Sequence, residues 1–423
     1  MNTKAIILLF IANAISGIAQ GMTMIAIPWY FAQMDSLRYF GIVYIITNVL
    51  SMFWVPWSGT VVDKYDRKKI FQVLTSCIGI IIISFGVFGI WNGGLSMILV
   101  ASIFIITFLN YNMHYPCLYA FVQEITPPEN YAKMTSLLEV IGQITTITAG
   151  AGATLLLEGA TNGQMDIFGM AINIGFDLKP WAIQNIILLD GITYFVAFSI
   201  ISFISYVPLR KRTAEIGNVI TRIKTGLRYL NGNKSILWFG ILSFMVFTMV
   251  LMDTFYMGAN YVRNHLQESG DVYANAKMAY SMGAIFIGLS IGFLMRKISL
   301  PAVVITLTLI ISGAYLYLSV NQSVLLFFAM MLLVGICNAG CRISRITYLF
   351  RNVPNQFFGR AGSVFFQAHI ILRIILLGIF TIPFFHMSNN IIYGYRVMGV
   401  ILLLTAFVMF FMYKRFDTSV TSK

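Results

Sequence analysis

The stretch SGTVVDKYDRKKIF, Ser58 to Phe71, concentrates charged side chains in a chain that has few of them. Charged residues make up 10% of the 423-residue sequence, yet six of the seven positions from Asp63 to Lys69 are charged. Gly59 stands four residues before Asp63, and long apolar runs lie on both sides. The stretch is therefore a polar turn between two apolar segments, and its role depends on what those segments are.

The composition of the whole chain indicates a membrane protein. Hydrophobic residues make up 58% and aromatic residues 15%, whereas soluble domains average about half apolar and about a quarter charged residues. Apolar runs recur from end to end, each near the ~20 residues that cross a hydrocarbon core. The polar–apolar alternation of transmembrane β-barrels is not seen. We expect a polytopic α-helical membrane protein whose first run, 5–29, is a retained helix rather than a cleaved signal.

Breaks between the apolar runs predict twelve membrane-spanning helices. The first six predicted spans are 5–30, 38–62, 70–91, 95–118, 134–157 and 184–208. The second six are 236–258, 276–295, 301–319, 322–346, 360–385 and 391–413.

The distribution of Lys and Arg predicts which side each turn faces. With the N-terminus inside, 22 of the 28 Lys and Arg fall in cytoplasmic segments, and Arg373 falls within a span. The five in outside loops are Arg38, Lys179, Arg263, Lys277 and Arg396. This positive-inside bias predicts cytoplasmic N- and C-termini in a cell (inner or plasma) membrane. We attribute the net charge of +13 to topology and to contact with anionic membrane lipids, rather than to nucleic-acid binding.

The longest predicted cytoplasmic stretch divides the spans into six and six. We expect an N-terminal bundle over 1–208, a linker over 209–235 and a C-terminal bundle over 236–423. Within the linker, apolar residues at helical spacing predict an amphipathic helix on the inner leaflet, and a simple tether is also compatible. These residues are Ile216, Val219, Ile220, Ile223, Leu227 and Leu230.

A weak internal repeat supports two related six-helix bundles. ITPPENYAKMTSL after the fourth span is similar to NVPNQFFGRAGSV after the tenth. Three positions match at one constant offset: Pro127 with Pro354, Lys133 with Arg360, and Ser136 with Ser363. A duplicated unit, forming two pseudo-symmetric bundles, explains this match.

The spacing of residues in the turn at 58–71 is more specific than an ordinary positively charged cytoplasmic loop requires. We expect Gly59 to permit close packing of helix ends and Asp63 to accept from the N-terminus of a neighbouring helix. Arg67, Lys68 and Lys69 would fix the sidedness. An ordinary loop explains the basic residues, but it does not explain Gly59 in register with Asp63 and Arg67.

The spacing G-x-x-x-D-K-x-D-R-K-K resembles the signature of the major facilitator superfamily. Three further stretches resemble its drug:proton antiporter branch, which includes macrolide-efflux-type and siderophore-export-type permeases: PCLYAFVQEITPPENYAKMTSLLE, ITRIKTGLRYLNGNKSIL and VPNQFFGRAGSVF. The resemblance implies twelve helices in two bundles around a central cavity, with alternating access by rocking. It also implies that Asp63 and Arg67 belong to a cytoplasmic charge latch joining the two halves in the outward-facing state.

This sequence departs from the family pattern at three places. Asp66 stands where the signature expects glycine, and Arg296 stands where the second-half copy, GFLMRKISLP, would have an acidic residue. The fifth span, GQITTITAGAGATLLLEG, lacks the Gly-Pro pair of the antiporter signature. Antiport is therefore not established by motif.

Few ionisable side chains fall inside the spans, and each is costly there, at about 2.5–3.5 kcal/mol or more on insertion scales. Asp253 is our first candidate for a proton-coupling or cation-coupling carboxylate. Arg373 is a candidate counter-charge for Asp253 or Glu139, or an anchor for an anionic substrate; a static buried ion pair is the alternative. His369, one turn before Arg373, is either a proton relay or a hydrogen-bonded core residue. Asp190 lies near the outer end of the sixth span.

Polar side chains recur along single faces of three first-half spans. They line a cavity or join helices, because lipid cannot satisfy them. Three such stripes favour a central substrate cavity. Its candidate residues are Asn13, Gln20, Tyr44, Asn48 and Gln143, with Ser16, Thr23, Ser51 and Thr146 on the same stripes.

Enzyme motifs are not found in the sequence. There is no zinc-protease, P-loop, nucleophile-elbow or cysteine–histidine motif, so we expect no enzyme, no cofactor, no metal site and no direct use of ATP. The four cysteines lie in or beside apolar runs and do not form a disulfide framework. The unusually long outer connection, 158–183, either folds over the outer mouth, lies in the interface, or has no function.

These observations predict a secondary active transporter. We expect proton-coupled export of amphipathic small molecules by a monomer, with substrate, protons and membrane lipids as partners. An uptake symporter and a flippase for lipid-like substrates are alternatives of the same fold. A non-transporting membrane sensor or scaffold is the alternative of another class.

Overall fold

The structure, a computed structural model, describes residues 3–206, 219–387 and 389–416. Within these ranges twelve helices are long and apolar enough to cross a membrane, which confirms the predicted number. The first six are α1 (Thr3–Gln33), α2 (Leu37–Lys64), α3 (Arg67–Trp91), α4 (Met97–Ile125), α5 (Tyr131–Glu158) and α6 (Ile183–Ser202).

A shorter helix, α7 (Val219–Gly232), precedes the second six spans. These are α8 (Lys234–Leu266), α9 (Gly270–Lys297), α10 (Leu300–Leu318), α11 (Val324–Asn352), α12 (Asn355–Phe380) and α13 (Ile391–Phe411). The prediction placed the end of α8 at 258 and the start of α9 at 276, which is wrong at both boundaries. Polar residues continue the helices past the apolar runs until Gln267 takes a left-handed backbone with φ 58°.

Contacts within the chain define two compact units. The first unit comprises Met1–Ile216 with Ser269–Met278, and the second comprises Gly217–Glu268 with Ala279–Lys423. The start of α9 thus belongs to the first unit, which the sequence did not predict. The N–H of Gly270 donates to Glu158 Oε1 at 2.7 Å, so the end of α5 caps the start of α9.

Small residues bring the helices of the first unit close together. A Cβ at Gly86 of α3 would lie 2.8 Å from Leu188 Cβ, and a Cβ at Gly191 of α6 would lie 2.9 Å from the backbone nitrogen of Ile83. Both distances are shorter than real contacts allow, so α3 and α6 approach at backbone level. This packing leaves little room between the helices.

Glycines have the same role in the second unit, where α9 crosses α11. A Cβ at Gly283 would come within 3.0 Å of the Leu332 carbonyl oxygen, and a Cβ at Gly335 within 3.0 Å of the Tyr280 carbonyl oxygen. Beside the crossing, Asn338 Nδ2 donates to the Tyr280 hydroxyl at 2.6 Å. The two backbones touch here because neither glycine carries a side chain.

The predicted amphipathic helix exists as α7, but one of its faces contacts protein. Leu230 is fully buried, and Tyr229 stacks on Phe357 of α12 with ring centroids 4.5 Å apart. Leu227 is exposed. Ile216 lies outside the described residues. The part of α7 around Leu230 therefore packs on α12 rather than on lipid.

The long connection between α5 and α6 forms a β-hairpin, which the sequence did not predict. Strands β1 (Gln164–Ile167) and β2 (Met170–Asn173) pair antiparallel. Phe168 and Gly169 between them both have positive φ, as a two-residue type I′ turn requires. The Asp166 carboxylate accepts from the Gly169 N–H at 2.7 Å and fixes the turn.

Candidate functional site

The charged turn at 58–71 joins α2 to α3. Asp66, not Asp63, caps α3, and its side chain accepts from the Lys69 N–H at 3.2 Å. Asp63 lies exposed in the last turn of α2, because that helix continues to Lys64. The expectation that Asp63 accepts from the N-terminus of the neighbouring helix is therefore wrong in this structure. The residue that departs from the family signature takes that role.

The basic residues of this turn bind the ends of two other helices in the first unit. Arg67 forms an ion pair with Glu124 of α4 at 3.3 Å, and the Glu124 side chain is only 3% exposed. Lys68 Nζ donates to the carbonyl oxygens of Ser202, at 3.0 Å, and Ile204, at 2.7 Å. A cation on the last carbonyls of a helix also complements the helix dipole. Arg67 and Lys68 thus join the ends of α3, α4 and α6.

Tyr206 completes this cluster from the segment after α6. Its hydroxyl donates to Asp66 Oδ1 at 2.6 Å. Burial raises the pKa of Tyr206 above its ordinary value, and the hydrogen bond to Asp66 raises it further. The hydroxyl therefore remains a donor at physiological pH, and the cap of α3 keeps this partner.

Gly59 has no packing role among the described residues. A Cβ at this position would meet no atom within 4 Å, so the expected close approach of helix ends is not found there. The close approaches lie instead at other glycines, such as Gly86 and Gly191.

We expect Arg67→Ala to lower the free energy of unfolding by about 1–2 kcal/mol, because it removes the guanidinium that lies 3.3 Å from the buried Glu124 carboxylate. Thermal unfolding of the purified protein in mild detergent measures this. Lys69→Ala is the matched control, since Lys69 is an exposed neighbour whose side chain is not part of the cluster. Equal unfolding temperatures for both variants would contradict the role given to the ion pair.

Asp253 lies at the point where α8 changes its helical form. The helix is α-helical over Lys234–Met252, π-helical over Asp253–Met257 and again π-helical over Tyr261–Leu266. Single π-helical turns occur preferentially at functional sites. Asp253 is 2% exposed, and the Tyr395 hydroxyl of α13 donates to its Oδ1 at 2.6 Å.

Tyrosines from three helices surround this carboxyl group. The Tyr395 ring lies 4.7 Å from that of Tyr261 and 5.8 Å from that of Tyr315 of α10. The Tyr315 hydroxyl is close enough to Asp253 to interact electrostatically and makes no hydrogen bond with a described residue. The site is therefore a buried acid among phenolic hydroxyl groups.

Arg373 and His369 lie buried on α12 of the second unit, at 2% and 3% exposure. His369 stacks on Phe244 with centroids 5.4 Å apart, and the Arg345 guanidinium lies 3.7 Å from the same Phe244 ring. Arg345 also donates to the Ser243 carbonyl oxygen at 2.9 Å. His369 interacts electrostatically with both arginines. The cluster thus places two arginines and His369 near the Phe244 ring.

Glu139 lies half-buried on α5 and accepts from the Tyr119 hydroxyl of α4 at 2.6 Å. Gln143, one turn later, is also half-buried. The two side chains share a helix face, as predicted.

The polar residues predicted for a cavity have different surroundings. Asn13 of α1 pairs with His114 of α4, with Oδ1 and Nε2 2.8 Å apart. Gln20 is half-buried. Tyr44 packs fully buried against Phe104 and Phe108, and Asn48 donates to the carbonyl oxygen of Tyr44 at 2.7 Å. Tyr44 and Asn48 therefore pack within the first unit, and their contact with substrate stays a prediction.

Asp190 of α6 is fully buried, as Asp253 nearly is. The Thr23 hydroxyl of α1 lies beside the carboxyl group, but neither carboxyl oxygen makes a hydrogen bond of normal geometry with a described residue. A charged carboxylate at this position would lack the hydrogen bonds that normally stabilise it.

Several residues of these clusters were not predicted from the sequence, and four of them show why. Glu124 lies within the stretch PCLYAFVQEITPPENYAKMTSLLE, and His114 is an isolated histidine in an apolar run, so both could have been identified from the sequence. Arg345 was counted among the cytoplasmic charges at the end of a span. Tyr395 left no signal, because tyrosine is common near membrane interfaces.

Comparison with known proteins identifies the family. The sequence profile of the Major Facilitator Superfamily matches residues 9–376. This chain belongs to the Major Facilitator Superfamily. It is 22% identical over 371 residues to the uncharacterized MFS-type transporter YkuC of Bacillus subtilis (strain 168), which covers 84% of this chain and 78% of YkuC.

Solved structures share the fold at low sequence identity. A mutant of the nucleoside transporter NupG superposes with a TM-score of 0.75 at 14% identity, covering 97% of this chain and 100% of that one. A D-xylose-proton symporter superposes with a TM-score of 0.66 at 11% identity, covering 96% and 97%. The chain is thus a multi-pass secondary transporter for small molecules and not an enzyme.

Proposed function

We propose that this protein is a proton-coupled transporter that exports amphipathic small molecules by alternating access. The observation that carries the proposal is the Asp253 carboxyl group, buried on a π-helical turn and held by the Tyr395 hydroxyl. A spanning helix seldom carries a buried acid without a functional reason, because its insertion is costly.

The chemistry of this site favours a proton as the coupling ion. Burial disfavours a charged carboxylate, whereas access to water favours it, so a change of access can load and unload a proton. The surrounding tyrosines are uncharged hydrogen-bond donors, which suit a carboxyl group that binds and releases a proton. Arg373 remains the proposed counter-charge that Asp253 or Glu139 meets in the cycle, with His369 beside it as a candidate relay.

Export of amphipathic molecules is supported by the resemblance of three stretches to the drug:proton antiporter branch. The proposal includes a monomer in the cell membrane with both termini in the cytoplasm, and two six-helix bundles joined by the 209–235 linker. It also includes the latch of Asp63 and Arg67 between bundles and a substrate cavity bordered by Asn13, Gln20 and Gln143. The Arg67–Glu124 pair would be one of the alternative pairings of such a latch.

Uptake coupled to a proton gradient is the second candidate. It is favoured by the similarity in fold to a protein described as a D-xylose-proton symporter. Symport and antiport differ in the direction of substrate movement relative to the proton, so one experiment separates them.

Flux into proteoliposomes under imposed pH gradients of both signs tests the proposal. The probes are ethidium, a macrolide, uridine and D-xylose. We expect an amphipathic probe, ethidium or the macrolide, to move against the direction of the proton gradient. Movement of D-xylose or uridine with the protons would establish uptake instead. Empty-liposome rates for every probe, under both gradients, would favour the sensor or scaffold alternative.

A further inference from the structure

The first unit contains a buried acid that the proposed function does not use. Asp190 on α6 is fully buried, and Asp253 is the other buried aspartate among the described residues. The two belong to different units. Among the described residues, each unit thus has one buried aspartate inside a spanning helix.

Asp190 has no cation to balance a negative charge among the described residues. The groups that act on it are the low-polarity surroundings and the Thr23 hydroxyl of α1. Tyr194, one turn along α6, is the titratable group beside it, and its hydroxyl accepts from Asn110 of α4 at 3.0 Å. From α3 the contacts around Gly191 come from the apolar residues Ile82 and Ile83.

Water has little room to hydrate this carboxyl group. The α3–α6 contact on either side, at Leu188 and Gly191, is at backbone level. An ionised carboxylate here would lack water, a cation and normal hydrogen bonds, so burial strongly disfavours the charged form. The neutral acid costs far less and can donate its proton to the Thr23 oxygen.

A polar face of α1 runs from this site along the helix. Asn13, Ser16, Gln20 and Thr23 follow at intervals of three and four residues, so they share one face over about 15 Å. Gln20 Nε2 has no hydrogen-bond partner among the described residues. At the far end, Asn13 pairs with His114. This face of α1 is the polar side of the Asp190 site, whereas the contacts from α3 are apolar.

We propose that Asp190 is a second proton-binding site, loaded and unloaded along the polar face of α1. One proton from the aqueous phase converts the carboxylate to the acid, and the same proton returns to water when the site reopens. The proposal rests on the proposed function for its meaning in transport, since a second site implies more than one proton per cycle.

Infrared spectroscopy of the purified protein tests the site without any substrate. We compare wild type with Asp190→Asn, Asp253→Asn and Thr23→Val in the carbonyl-stretching region of protonated carboxylic acids. We expect a component at neutral pH that is lost in Asp190→Asn and retained in Asp253→Asn. It should disappear reversibly in alkali and shift in D2O, and this shift should be slower in Thr23→Val.

Three results would overturn the proposal. A wild-type spectrum without an Asp190-dependent component would mean that the group is ionised. A component that neither titrates nor shifts in D2O would mean a permanently buried structural proton. Loss of the component on replacing choline chloride by sodium chloride at constant pH would make sodium the bound ion. If Asp190→Asn does not fold, Thr23→Val is the deciding variant. A D2O shift as fast in Thr23→Val as in wild type would contradict loading along the polar face of α1.

This test is independent of the proposed function. Absence of proton-driven flux in wild type would refute coupling but leave the infrared component in place. Absence of the component, with flux still driven by the gradient, would refute only the second site.

Discussion

Asp253→Asn is expected to reduce proton-driven transport strongly. Asparagine resembles the protonated acid in shape, but it cannot bind or release a proton. The variant can therefore still change conformation, but the proton gradient no longer drives the change through residue 253. We expect the initial rate under an imposed pH gradient to fall about tenfold or more. This corresponds to an activation free energy raised by at least ~1.4 kcal/mol.

Exchange of substrate across the membrane distinguishes lost coupling from lost folding. Counterflow of labelled against unlabelled probe, without a pH gradient, should be retained in Asp253→Asn, because it needs no net proton movement. Tyr395→Phe is the matched control, since it removes the hydroxyl bound to Asp253 and keeps the carboxyl group. It should keep proton-driven transport at a reduced rate. Full gradient-driven transport by Asp253→Asn would show that the coupling group lies elsewhere.

The number of spanning helices could be predicted from the sequence because the lipid environment restricts the backbone. A chain in hydrocarbon must satisfy its backbone within helices, so the apolar runs give the number of spans directly. The boundaries of α8 and α9 were missed for the same reason. Arg263 and Asn264 continue a helix beyond the apolar run, and hydropathy alone does not register them.

Contacts of the site depend on details that spacing does not contain. The spacing of Gly59, Asp63 and Arg67 identified the family, but Arg67 binds Glu124, which is 57 residues away in sequence. Asp253 was predicted to be buried, and it is. Its partner Tyr395 could not be predicted, because the π-helical turn that changes the direction of the side chains on α8 has no proline or glycine to signal it.

The glycines at helix crossings could not be identified from the sequence, since the chain has 34 glycines in all. The structure separates those that permit contact from those that do not. Gly283 and Gly335 lie against carbonyl oxygens of the facing helix, whereas Gly288 on the same helix α9 has no atom within 4 Å of its missing Cβ. This contrast gives a matched pair of substitutions on one helix.

Gly335→Ala is expected to destabilise the second unit strongly. The methyl group would overlap the Tyr280 carbonyl oxygen, which belongs to the backbone of α9 and cannot rotate away. The helices would have to separate, which loses packing along the crossing and strains the Asn338–Tyr280 hydrogen bond. We expect a loss of about 3 kcal/mol, at the upper end for overpacked sites, measured as denaturant-induced unfolding in mild detergent.

Gly288→Ala is the control, and its result decides the interpretation. The new methyl group enters open space on α9, so the stability should change by less than about 1 kcal/mol and in the stabilising direction that helix propensity predicts. Gly283→Ala should behave like Gly335→Ala, because its methyl group meets the Leu332 carbonyl oxygen from the other side of the same crossing. If all three variants unfold alike, α9 and α11 are not in backbone contact. If only Gly283 and Gly335 are sensitive, the crossing is rigid, because neither backbone can yield to a single methyl group.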